Sequence, residues 1–295
     1  MRPRMLALFV LATIASIDVH AHPGAGIAVA PDGRVFFVDT GGGIFSIERD
    51  GKIVRREGPA YHWFALDPAG RFRRTAWPSI PDATFQASGV NPTLVMSSDF
   101  PVTIGTDGVF YVPRRNDAGV VSIIGITPAG ARSVKATLPA AQSGGRPAPW
   151  VNGLAAGPAG SLYYTEDRAV RRIDARGRVS LVANVNSVPN CESIPGVKRD
   201  VLPYLRGLAV APDGTVYVAA SGCGALLKID PTGKTSVILR TQAPWSPTDV
   251  AVANGEIYVL EYSNTASDDR TEWFPRVRKI SKTGAVTLIG RTPRR

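Results

Sequence analysis

Histidine is scarce in this chain. It occurs three times in 295 residues, at His20, His22 and His62, and cysteine occurs twice, at Cys191 and Cys223. A zinc site needs three or four His, Cys or carboxylate ligands, so zinc would require added carboxylates. A Gly-X-Ser-X-Gly elbow is missing, and no phosphate-binding Gly-rich loop precedes a helix, because Gly41-Gly42-Gly43 lies between strands. Asn-X-Ser/Thr acceptors are missing too, since Asn91 is followed by Pro92. Without a Cys-X-X-Cys spacing, a reactive redox pair is disfavoured. After the first residues no apolar run is long enough to span a bilayer.

The first residues themselves form a distinct unit. Arg2 and Arg4 precede an apolar run from Met5 to Ile17 and small residues at Val19-His20-Ala21. That is the layout of a secretory signal peptide, and cleavage is expected near Ala21. The reading therefore divides the chain into a signal peptide, 1–21, and one domain, 22–295, secreted or periplasmic. In such a compartment Cys191 and Cys223 are expected to pair. The net charge of +10 invites a nucleic-acid partner, but the basic residues are scattered over hairpin edges (Arg171, Arg172, Lys228, Arg278, Lys279). That distribution solvates outer strands and blocks edge pairing, and export removes the intracellular partner. No nucleic acid is expected.

A repeat fills the remainder. An apolar run, a Pro-Asp-Gly-like turn and an apolar, aromatic-rich run recur as Gly26–Asp39, Val102–Pro113, Gly153–Thr165, Gly207–Ala219 and Asp249–Glu261, with a degenerate copy in WFALDPAGRF. The turn glycines are Gly33, Gly70, Gly108, Gly160, Gly214 and Gly255. A unit of about 40 residues suits a four-stranded propeller blade. Each clear copy continues with a second hairpin on a similar turn, as in LLKIDPTGKTSVI, and such turns favour hairpins because glycine takes positive φ without steric cost. The fold predicted is all-β: a six-bladed propeller of four-stranded antiparallel blades. Unit two is the weak one. Phe72-Arg73-Arg74-Thr75 is a poor second strand, so its third and fourth strands are sought in ATFQAS and TLVMSS. No exchange of strands between the termini is evident, so the ring is expected to close by packing of the first blade on the last.

Insertions collect in the loops of one face, where a rigid scaffold presents function. Aligned on the turn glycines, the residues just before each first strand are Ala25, His62, Phe100, Asn152, Arg206 and Thr248, with Asp99 and Asp249 one step away. Convergence of His, Asn, Arg and carboxylates is the usual composition of a pocket. His62, Asp99, Asn152, Arg206 and Asp249 are the ligand-binding candidates. Glu166 and Glu261, at the ends of second strands, are candidate general acids or bases. Asp39, before three glycines, is expected to hold its own turn. Trp150, Trp245 and Trp273 are candidate aromatic anchors.

GLAVAPDGTVYVA with its LLKIDPTGK continuation resembles NHL repeats, and the pattern covers most of the chain. Asn152-Gly153-Leu154-Ala155, followed by Leu162-Tyr163-Tyr164-Thr165-Glu166, resembles the gluconolactonase and regucalcin blade in which an Asn ligates a divalent cation. These resemblances imply a six-bladed propeller with its site at the top of the channel. Asn152 matches the metal-binding Asn, Arg206 stands where that family has an Asp, and Gly24 and Ala25 lie where its Glu is expected. A shifted cation site would draw on Asn152, Asp99 and Asp249, with His62. Two functions follow: an exported, monomeric propeller binding an extracellular protein, peptide or small anionic ligand on its top face, or a lactonase or lyase using Ca²⁺ or a similar divalent cation. Streptogramin lyases share related repeats, but the chain has few histidines to match theirs.

Overall fold

The computed structural model describes residues 24–58, 61–73, 85–88, 91–98, 100–140, 150–191, 202–263 and 273–292. The expected signal peptide and its cleavage point lie outside these residues. No helix among them is long and apolar enough to cross a membrane.

The chain folds into consecutive antiparallel sheets. The first contains β1 (Ile27–Val29), β2 (Val35–Asp39), β3 (Gly43–Ile47) and β4 (Ile53–Glu57), and the second β5 (Trp63–Asp67), β6 (Phe85–Ala87) and β7 (Thr93–Ser97). The third contains β8 (Thr103–Ile104), β9 (Phe110–Arg115), β10 (Val121–Ile126) and β11 (Arg132–Thr137). The fourth contains β12 (Gly153–Ala156), β13 (Leu162–Thr165), β14 (Ala169–Ile173) and β15 (Val179–Asn184). The fifth contains β16 (Leu205–Val210), β17 (Val216–Ala220), β18 (Ala225–Ile229) and β19 (Thr235–Arg240). The last contains β20 (Trp245–Ala253), β21 (Glu256–Ser263), β22 (Pro275–Ile280) and β23 (Val286–Arg291). The turn glycines take the left-handed conformation their role requires, Gly33 at φ +88° and Gly214 at φ +86°.

Alternation along the second strand of each blade explains the packing. Successive side chains of a strand point to opposite faces, so Tyr163 packs toward the fifth sheet and Tyr164 toward the third, while Phe36 packs toward the second and Phe37 toward the last. Six apolar clusters result, one between each pair of neighbouring sheets, including one that joins Ile27, Val35 and Phe37 to Leu260, Tyr262 and Val277. The innermost strands neighbour one another in chain order, and β20 returns to β1. The ring closes by packing, and among the described residues no strand is exchanged between the first and last sheets.

The expectation of six four-stranded blades is corrected. Among the described residues there are five four-stranded blades and one three-stranded sheet of order β5-β7-β6. TLVMS does not form an outer strand but pairs directly with β5, Phe64 opposite Met96 and Leu66 opposite Leu94. The cause is legible in side chains. Leu94 and Met96 fill the seam with the first blade and Val95 the seam with the third, as a second strand must, while Phe72 is fully buried against Phe110.

Cys191 and Cys223 are joined, with Cα atoms 4.6 Å apart, tying the connection that leads into the fifth blade to the turn after β17. The predicted pairing is the one found.

Candidate functional site

The inner strands surround a channel of about 270 Å³. Its walls are the first residues of each inner strand and those below: Trp63, Pro101, Gly153, Gly207 and Asp249, then a ring of small residues, Ala28, Ala65, Thr103, Ala155, Ala209 and Ala251. Asp249 is the one ionisable side chain among these lining residues.

Asp249 sits where the register of β20 on β21 shifts between Pro247 and Asp249. Its Oδ1 accepts the Val250 N–H at 2.8 Å and its Oδ2 accepts the Ile27 N–H at 3.2 Å, so one carboxylate bonds both its own strand and the first blade. Burial pushes its pKa up to about 7, against the pull of these two N–H donors and the nearby charge of Arg206. Glycine at position 207 is required by this arrangement, because a Cβ there would lie 1.9 Å from Asp249 Oδ1 and 2.7 Å from its Cα. Gly207→Ala is therefore expected to displace Asp249 and destabilise the ring by about 1–3 kcal/mol. Chemical denaturation checks this, and an unchanged midpoint would refute the contact.

Arg206, on β16, is buried, and its positive charge bears on both Asp249 and the Tyr262 hydroxyl. Its carbonyl accepts the Thr165 hydroxyl at 2.6 Å. Asn152 is buried beside it, and its Nδ2 donates to Asp167 Oδ1 at 3.0 Å and to the Leu205 carbonyl at 2.9 Å. Its amide hydrogens thus stitch blade four to blade five. Arg206 thus bears on Asp249, while Asn152 is a fastener bonded to Asp167 and to the Leu205 carbonyl. His62 stands half-buried in the second sheet, its ring edge-on to Trp63 at 5.4 Å, while its carbonyl accepts the Ala25 N–H at 2.8 Å. Asp99 lies outside the described residues.

Glu166 and Glu261 do not line the channel. Each occupies the same place in its blade, six residues after the turn glycine, and each meets an arginine on the third strand. Glu166 Oε1 accepts Arg171 Nε at 3.1 Å, and burial pushes the Glu166 carboxyl up while Arg171 pulls it down. Glu261 is fully buried, with Oε2 accepting Arg276 Nε at 2.6 Å and Oε1 accepting Arg278 Nε at 3.0 Å. Asp39 accepts the Gly41 N–H at 3.2 Å and holds its turn as expected. Of the aromatic anchors, Trp150 is 50% exposed, whereas Trp273 is buried between the first and last blades and Trp245 lies under Arg276.

Sequence reasoning missed the seam residues. Tyr262 OH donates to the Val38 carbonyl at 2.7 Å and accepts the Thr40 N–H at 3.0 Å, while Thr40 Oγ1 accepts the Gly24 N–H at 2.7 Å. Ser221 Oγ donates to the Pro247 carbonyl at 2.5 Å, and Ser246 Oγ to the Ser221 carbonyl at 2.5 Å. A signal existed: the residue seven after the turn glycine is Thr40, Arg115, Asp167, Ser221 or Tyr262, polar in every clear copy. Inner strands are sheet edges, and buried edges need partners for their N–H and C=O groups.

A divalent cation does not fit this donor set. The Asn152 amide nitrogen is committed to Asp167 and Leu205, Asp249 is committed to two backbone N–H groups beside a guanidinium, and among the described residues no three His, Cys, Asp or Glu side chains converge.

No family model matches the sequence, and no curated protein matches it either. Similar solved structures include a virginiamycin B lyase from Staphylococcus aureus, 14% identical, covering 90% of this chain and 83% of that one at a TM-score of 0.53. A luciferin-regenerating enzyme is 15% identical, covering 92% of each chain at a TM-score of 0.55. The calcium-binding protein regucalcin from Agrobacterium tumefaciens is 15% identical, covering 84% of each chain at a TM-score of 0.54. At such identities the likeness establishes the fold: an all-β propeller of the kind shared by these lyase and regucalcin structures.

Proposed function

We propose that residues 22–295 form an exported, monomeric propeller of the NHL type that binds a small carboxylate-bearing ligand at the channel mouth. The observation that carries this reading is Asp249, the one ionisable group lining the channel among the described residues, set beside the buried Arg206. Because burial keeps Asp249 largely protonated below about pH 7, its carboxyl then places no negative charge at the mouth to repel an anion. A carboxylate at the mouth meets protonated Asp249 as a hydrogen-bond donor, and the positive charge of Arg206, which bears on Asp249, favours the anion.

Isothermal titration with a panel of mono- and dicarboxylates tests it. Binding is expected at pH 6, to weaken roughly tenfold per pH unit above 7 as Asp249 ionises, and to fall at least tenfold in Arg206→Ala. Wild-type protein indifferent to every carboxylate at pH 6 would sink the reading. The alternative, a lactonase or lyase dependent on Ca²⁺ or another divalent cation, draws support from the names of the structural neighbours. It predicts a Ca²⁺-dependent rise in Tm that Asn152→Ala abolishes.

A further inference from the structure

At the rim of the last blade, away from the channel, two arginines stand directly opposite each other: Arg276 on β22 pairs in register with Arg291 on β23. Like charges in that relation repel, and Arg278 stands close by, sharing Glu261 with Arg276. Among the described residues the cluster sets three guanidiniums against one carboxylate. Among the described residues no acidic side chain pairs with Arg291.

The arginines are also held in place. Arg276 lies over the Trp245 ring at 4.0 Å with its Nε on Glu261, Arg291 lies over the Phe274 ring at 5.0 Å, and Trp245 meets Phe274 edge-on at 5.2 Å. Stacking and the Glu261 bond immobilise the Arg276 stem before any partner arrives, which lowers the entropy lost on binding. Arg276 uses Nε for Glu261, so its terminal N–H groups form the remaining part of the fork, and guanidinium forks match oxyanions in bidentate geometry.

We propose that this rim is a docking patch for an acidic polysaccharide, whose sulfate or uronate groups bridge Arg276 and Arg291. A sugar chain is favoured over a lipid surface because the flanking rings, Trp245 half-buried and Phe274 buried, are packed edge-on to each other and do not project as membrane-inserting side chains. This site is independent of the channel.

The test is titration of the full-length protein with a heparin-type sulfated hexasaccharide and with an uncharged hexasaccharide, across a salt series. The sulfated probe alone is expected to bind, and Arg291→Ala to weaken it at least tenfold. Arg178→Ala, the same change in net charge at an exposed arginine of another blade, is expected to change it less than twofold. Equal losses in the two variants would mean diffuse attraction to a basic protein and overturn the patch, as would no binding by wild type. Vesicles of anionic phospholipid are the second arm. Binding to them that is as tight, and as sensitive to Arg291→Ala, would overturn the polysaccharide assignment. Circular dichroism confirms that both variants fold.

Discussion

Glu261→Gln is expected to be the most destabilising single-atom change in the protein, costing about 3–5 kcal/mol. The carboxylate is inaccessible to solvent, and both its oxygens are engaged by arginines, Arg276 Nε at 2.6 Å and Arg278 Nε at 3.0 Å. Glutamine keeps the shape and one acceptor but turns a donor toward one guanidinium and leaves two positive charges without their counter-ion. The loss is structural because Arg276 is also the group that covers Trp245, so the rim of the last blade should loosen together with the ion pairs. For a chain of this size a lowering of Tm by roughly 10 °C follows, at about 2–4 °C per kcal/mol. Glu166→Gln should cost less. Glu166 meets one arginine, and burial has already weakened its preference for the ionised form. Guanidinium denaturation of the two variants against wild type measures the difference. A Glu261→Gln protein as stable as wild type, but impaired in a catalytic assay, would reverse the assignment and return Glu261 to the role its position first suggested.

That position illustrates how far sequence reaches in a propeller. The architecture was readable because each blade repeats one apolar alternation around one glycine turn, and both features are local. The disulfide was readable because an exported chain with two cysteines, Cys191 and Cys223, is expected to pair them. The second sheet was misread at one step: apolar content located TLVMS as a strand, but its place beside β5 depends on which seams Leu94, Val95 and Met96 fill, a property of neighbouring sheets. For the candidate site, alignment on the turns brought Asn152, Arg206 and Asp249 to one level, yet it could not separate a ligand group from a fastener. Asn152 bonds the Leu205 carbonyl across a seam, and that commitment is a three-dimensional relation between residues more than fifty positions apart. The same holds for Glu166 and Glu261, whose arginine partners sit on the next hairpin. Tyr262 escaped notice because a tyrosine at a strand end reads as core, although its hydroxyl serves two backbone groups of the first blade.

Asp249 gives the chain a pH dependence that can be measured without knowing any ligand. Its carboxyl holds a proton up to about pH 7 in the folded ring but only to about 3.8 when unfolded. The folded state therefore binds more protons in the interval between, and stability must fall as pH rises through it. The contribution is fully present below the unfolded value, is lost progressively toward neutrality, and is flat above. About three units of separation set an upper limit near 4 kcal/mol, reduced to the extent that lumen water reaches the carboxylate. The surface aspartates act in the opposite sense and at lower pH, because Asp32, Asp213 and Asp230, each held down by hydrogen bonds from its own turn, lose their stabilisation only as acid protonates them. Asp249→Asn isolates the effect. The variant should lose stability at pH 4, since an amide cannot accept from both Ile27 and Val250, and should close the gap on wild type as pH approaches 7. Denaturation midpoints at half-unit intervals from pH 4 to 8 provide the comparison. Parallel curves for the two proteins would show that the carboxyl at the channel mouth titrates as it does in water, and would remove with it the protonated partner on which the proposed anion binding depends.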